Sequence, residues 1–168
     1  MNRKKVIKIL AALFILLSIP TYSSAYVLNG KSLSNRLDAY YWIDGDFNSN
    51  RREVLYGILA WNDTSQIKFR KEAGVPGGGD VMVEYVNYYN GDIYAVSKGR
   101  GHIMVYKKWK NISSYTQRKE VIVHEVGHEA GLAHTQKSNN SISVMRQYGF
   151  NNKAYPLSDD KAGLRAKY

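Results

Sequence analysis

The sequence predicts an α+β domain: one mixed, twisted five-stranded sheet with helices packed on it. Three observations carry this. Apolar and polar residues alternate in five short runs, and apolar stripes at helical spacing lie between the first two runs and after the fifth. Apolar residues make up 44% of the 168 positions and charged residues 23%, which supplies one core and speaks against disorder or several membrane spans. The chain has no cysteine, so disulfides, thiol catalysis and thiolate zinc sites are excluded.

The chain opens on a leader-like segment. Arg3, Lys4, Lys5 and Lys8 precede an apolar run from Ile9 to Ile19, followed by Pro20 and the small residues Ser23, Ser24 and Ala25. This layout predicts a secretory signal peptide over 1–25, cut after Ala25, and a domain over 26–168. As an uncleaved anchor, eleven helical residues would reach only about 16 Å across roughly 30 Å of hydrocarbon. The expected location is therefore secreted, extracellular or envelope-associated, with no stable membrane span once the leader is gone. The leader takes four of the 24 basic residues and none of the 14 acids, and the net charge falls from +10 to +6. The remaining basic pairs, such as Arg51-Arg52 and Lys107-Lys108, are dispersed. They fit a solvated cationic surface, with attraction to anionic cell-envelope polymers as the alternative. No nucleic-acid module accompanies the charge.

The first strand is read from Leu37, Ala39, Tyr41 and Ile43 alternating with polar neighbours. Asn50 and Glu53 suggest a capping box for a helix with the stripe Val54, Leu55, Ile58, Leu59 and Trp61. A second strand follows at 67–70, then a glycine-rich loop over 74–79. Val81, Val83 and Tyr85 mark a third strand, and the runs 93–96 and 103–106 a fourth and fifth. Ser114 and Gln117 cap a helix through Val121, Ile122, Val123 and Val126 that should end at Gly131. A last helix is expected from Ser158, with Leu157 and Ala162 as a hydrophobic staple.

The chemistry concentrates in residues 124–134, which read HEVGHEAGLAH. His124 and His128 are four apart, so on a helix both imidazoles project from one face. Gly131 can end the helix in a left-handed conformation and let the chain return with His134 as a third nitrogen. Three neutral imidazoles leave one position of a tetrahedral zinc for water, the mark of a catalytic site. Glu125 is then placed as general base toward that metal-activated water and as proton donor to the leaving amine.

These residues resemble the zinc-binding signature of the metzincin proteases, and Gly127, Leu132 and Thr135 resemble its matrixin branch. Ser143-Val144-Met145 resembles the family's Met-turn, and Leu157 to Leu164 resembles the double-aspartate start of its C-terminal helix. The resemblance implies a metzincin-like catalytic domain with an active-site helix and a C-terminal helix, acting as a secreted zinc-dependent endopeptidase on peptide or protein substrates. It also implies an edge strand that holds the substrate, corresponding to Ile93, Tyr94, Ala95 and Val96, with peptide added as a further strand. The expected cofactor is one catalytic Zn2+. Calcium is not supported, because the family's cluster of additional ligands is missing and His102 reads as an ordinary strand or surface histidine.

The chain also departs from the family pattern. The cysteine-bearing propeptide of many matrixins has no counterpart. Where other metzincins place a tyrosine two residues after the Met-turn methionine, this chain has Gln147. Tyr148 reads either as a packed aromatic or as support for the transition state. Glu129 reads as a solvated helix residue, and Asp159 and Asp160 as first-turn acids that also brace the Met-turn by resemblance. A monomer is expected. The competing function is a non-catalytic secreted zinc protein that binds envelope polymers or a partner protein. Glu125 argues against it, since a carboxylate beside three histidines serves catalysis and not ligation.

Overall fold

The computed structural model describes residues 25–168, and the expected signal peptide lies outside them except for Ala25. Strand β1 (Ala39–Ile43) leads into helix α1 (Arg51–Leu59), then β2 (Phe69–Glu72), β3 (Val81–Val86), β4 (Ala95–Gly99) and β5 (His102–Tyr106). A single-turn helix α2 (Lys107–Lys110), the long helix α3 (Tyr115–Glu129) and the helix α4 (Ser158–Lys167) complete the order. The sheet runs β2-β1-β3-β5-β4, parallel throughout except for β4, which pairs antiparallel with β5. Strand β4 therefore forms a free edge.

Period-two alternation sorts the sheet residues onto two faces. Ala39, Tyr41, Ile43, Val81, Val83, Ile103 and Val105 are buried in one cluster with Val54, Ile58, Ile122 and Val126 of the helices. The tryptophans tie this layer together. Trp61 is fully buried and its indole N–H donates to the Val123 carbonyl of α3 at 3.0 Å, so the 3-10 turn Ala60–Asp63 that follows α1 is bonded into the middle of α3. Trp109 packs edge-on against Phe47, with ring centroids 5.5 Å apart.

Several expectations shift in detail. The second strand begins at Phe69 and runs on to Glu72, and its register with β1 slips between Ala39 and Tyr40. The fourth begins at Ala95: Ile93 is held in a turn by its N–H to the Asn90 carbonyl at 3.1 Å. Asn50 caps no backbone group, since a 3-10 turn over Gly45–Asn50 runs straight into α1, and Glu53 is buried against Arg118 instead. Ser114 does cap α3, accepting from the Gln117 N–H at 3.3 Å. Leu157 is the N-cap of α4 and not the residue before it, and the Asp160 carboxylate accepts its N–H at 2.8 Å. Among the described residues no helix is long and apolar enough to cross a membrane.

Candidate active site

Helix α3 presents His124 and His128 on one face, and the turn after it returns His134 to them. Gly131 makes that turn possible with φ of +102°, and a side chain there would collide with the Lys31 carbonyl at 2.5 Å. The Leu132 N–H bonds the Gly127 carbonyl and the Gly131 N–H bonds the His128 carbonyl, which satisfies the helix end. The returning strand is held from two sides. The Ala133 N–H donates to the Val27 carbonyl and the Thr135 N–H to the Met145 carbonyl, each at 2.7 Å, so His134 sits between two anchored neighbours.

The three imidazoles offer ligand atoms that all lie within 4.8 Å of one another. His124 Nδ1 lies 2.9 Å from the Val144 carbonyl and His128 Nδ1 2.8 Å from the Leu132 carbonyl. A carbonyl only accepts, so both Nδ1 atoms carry the proton and both Nε2 atoms are left with free lone pairs. Burial, the largest cause, pushes both histidines down to about 4, which keeps them neutral at pH 7. His124 Nε2 and His134 Nε2 are 3.2 Å apart. Two imidazole nitrogens on a tetrahedral zinc stand about 3.3 Å apart, so this donor set fits that ion.

Glu125 is buried beside the ligands, and burial raises its carboxyl above the ordinary carboxylate range while the neighbouring His128 opposes that rise. A cavity of about 510 Å³ opens next to Glu125 and His124, bounded by Ile93, Tyr94 and Ala95 on one side and by residues 146–150 on the other. Ala95 and Val96 lie in the free edge β4, whereas Ile93 and Tyr94 precede it. Tyr94 still bonds the sheet, its carbonyl accepting the Tyr106 N–H at 2.8 Å. Tyr148 stands at the cavity mouth and is 79% exposed, which rules out a packed aromatic.

Beneath the ligands, Met145 is buried and crosses under α3 at Gly127, where a β-carbon would lie 2.3 Å from Met145 Sδ and 2.8 Å from Trp61 Cζ2. Asp160 holds this turn: its carboxylate accepts the Ser143 hydroxyl, the Val144 N–H at 2.8 Å and the Leu157 N–H at 2.8 Å. Asp159 accepts the Thr135 hydroxyl at 2.7 Å. Asp160 thus braces the segment that carries the His124 carbonyl partner, and Asp159 the residue that follows His134.

Glu129 corrects the sequence reading. It is 2% exposed and not a solvated helix residue, because its carboxylate accepts the Gly99 N–H at 3.0 Å, the Gly101 N–H at 2.9 Å, the Ser97 hydroxyl and the Lys31 ammonium. Asn29 was not foreseen either: its side-chain amide donates to the carbonyls of His128 and Leu132, both at 2.9 Å. Only the adjacency of Glu129 to a ligand could have drawn notice, since both roles depend on partners 28 or more residues away. His102 lies 2.7 Å from the Glu84 carboxylate across β3–β5, and among the described residues the converging group of ligating side chains is His124, His128 and His134.

Comparison with known proteins agrees with this geometry. The family model described as matrixin matches residues 93–168. The chain is 28% identical over 142 residues to a macrophage metalloelastase of Oryctolagus cuniculus, covering 70% of this chain and 29% of that protein, so it spans under a third of that relative's length. Its fold is similar to that of myroilysin, with a TM-score of 0.59 at 14% identity over 85% of this chain and 98% of the other.

Proposed function

We propose, from the premise that this chain is a matrixin-like metalloendopeptidase, that it is a secreted enzyme cleaving internal peptide bonds at the His124, His128 and His134 site with Glu125 as general base. The observation that carries the reading is the convergence of three neutral imidazoles, two of them with Nε2 freed by backbone carbonyls, beside one buried carboxylate. His124, His128 and His134 would hold zinc, which when bound supplies Lewis acidity toward the scissile carbonyl and lowers the pKa of water. Glu125 does the proton work: its carboxylate takes a proton from the attacking water and returns it to the departing amine nitrogen. Burial raises its pKa, which makes the carboxylate a stronger base toward the proton of the attacking water.

The free edge of β4, through Ala95 and Val96, with Ile93 and Tyr94 before it, aligns the substrate backbone as an added strand. Tyr148 donates its phenol from the cavity mouth to the developing oxyanion, a lesser contribution. The test is digestion of a peptide mixture by zinc-loaded protein and by Glu125→Gln. The amide keeps size and helix compatibility but takes no proton, so cleavage is expected to fall by about a hundredfold or more while zinc content stays the same. Equal turnover by the two proteins refutes Glu125 as base, and zinc binding without any cleavage by the wild type favours a non-catalytic zinc protein.

A further inference from the structure

The cavity beside Glu125 ends on a buried charge pair that the reaction does not use. Glu120, on α3 one turn before His124, and Arg146, next to Met145, both line it and are both buried. Their bonding is unequal. Glu120 accepts the Asn151 N–H at 3.0 Å and the Asn152 N–H at 2.9 Å, so backbone donors already serve both of its oxygens. Arg146 gives Glu120 one long contact, Nη2 to Oε1 at 3.3 Å, while its Nε is buried without a hydrogen-bond partner among the described residues. A guanidinium carries five N–H donors, and a buried donor left unpaired is costly.

Of the other acids lining the cavity, Glu125 is taken up by the reaction and Asp92 is paired with the Lys108 ammonium. The uncommitted polarity inside the cavity is therefore that of a donor cation. We infer that Arg146 is a specificity-determining residue that receives a carboxylate side chain, glutamate foremost, from one of the two substrate residues flanking the scissile bond. Glutamate is favoured over aspartate because Arg146 is only 8% exposed, behind the exposed residues of the mouth, so the longer side chain reaches it. Charge-assisted hydrogen bonds of this kind correspond to roughly ten- to hundredfold in affinity. Glu120 has a separate part: with the N–H groups of Asn151 and Asn152 it ties the 146–152 loop, and so Arg146, to the active-site helix.

This inference rests on the endopeptidase reading. Its test compares kcat/KM for two peptides that differ only in glutamate or leucine beside the cut, in zinc-loaded wild type, in Arg146→Met and in Glu120→Gln with Arg146→Met. The double variant leaves no unpaired buried charge and guards against misfolding, and the ratio within each protein cancels any general loss of activity. The glutamate peptide is expected to be preferred at least tenfold by the wild type, with the ratio falling to about one or below in both variants. A wild type that cleaves both peptides without preference, or a preference that survives in either variant, overturns the inference and leaves the endopeptidase reading standing. No cleavage by the wild type overturns both.

Discussion

Glu129 and Gly101 are joined by a 2.9 Å hydrogen bond from the Gly101 N–H to the Glu129 carboxylate, linking the end of the active-site helix to the turn between β4 and β5. With the Gly99 N–H and the Ser97 hydroxyl on the same carboxylate, the free edge of the sheet is set at a fixed height above the histidines. One side chain next to His128 therefore aligns the edge to the three converging histidines.

Replacing Glu129 by Gln removes the charge that these donors share and turns an NH2 group toward one of them. The expected loss is on the order of 2 kcal/mol, read as a lower urea midpoint. Glu129→Asp keeps the charge but shortens the reach, and it should recover only part of the loss. An unchanged midpoint in the Gln variant contradicts the clamp.

Gly127→Ala drives a methyl group into Met145 Sδ and Trp61 Cζ2. Overpacking of this kind typically costs about 1–3 kcal/mol. The clash with Met145 is with the end of a flexible side chain, whereas Trp61 is fixed by its bond to Val123. A double-mutant cycle with Met145→Ala should then show recovery of part of the cost, and strict additivity would mean that Met145 does not touch the added methyl.

Asp160→Ala should weaken zinc affinity although it lies outside the ligand set. It frees the Val144 N–H, and Val144 supplies the carbonyl that orients His124. Loss of outer support of this type lowers metal affinity by roughly 10- to 100-fold, measurable by competition with a chromophoric chelator. Affinity equal to that of wild type would place the aspartate's role in α4 alone.

The metal-free protein should lose stability as pH falls from about 6.5 toward 4. Both His124 and His128 are held down to about 4 in the fold, below the ordinary value of 6.5. Between those limits the unfolded chain binds protons that the folded chain refuses, so acid favours unfolding there. Above 6.5 neither state is protonated and the contribution is complete. The slope is on the order of 1 kcal/mol per pH unit for each histidine. Urea midpoints at pH 8, 6.5, 5 and 4 check this, and a flat series below 6.5 rules it out.

How far the sequence could be read depended on the range of the interactions involved. The convergence of His124 and His128 was legible because four residues make one helical turn, and Gly131 because its conformation is local to one residue. Ser114 was legible for the same reason. Glu129 was misread because burial at that position is decided by Gly99 and Gly101 arriving from another element. The start of β4 was misplaced because the alternation continues through Ile93 while the backbone turns there to bond Asn90. Asp160 was legible as a bracing residue only through the family pattern, since acids at a helix start have a sufficient local explanation. Arg146 and Glu120 carried no periodicity or spacing that would have paired them.

The turn that delivers His134 is gripped by residues very distant along the chain: Asn29 reaches Leu132 across 103 positions, and Tyr168 bonds both the Ala130 carbonyl and the Leu33 N–H, the latter across 135. Closing such long spans costs chain entropy before any contact repays it. The consequence is kinetic. Helix α3 can form and pack on α1 early, with His124 and His128 already in place, while His134 arrives last. Substitutions at Asn29 or Tyr168 should therefore speed unfolding with little effect on the folding rate, giving φ-values near zero.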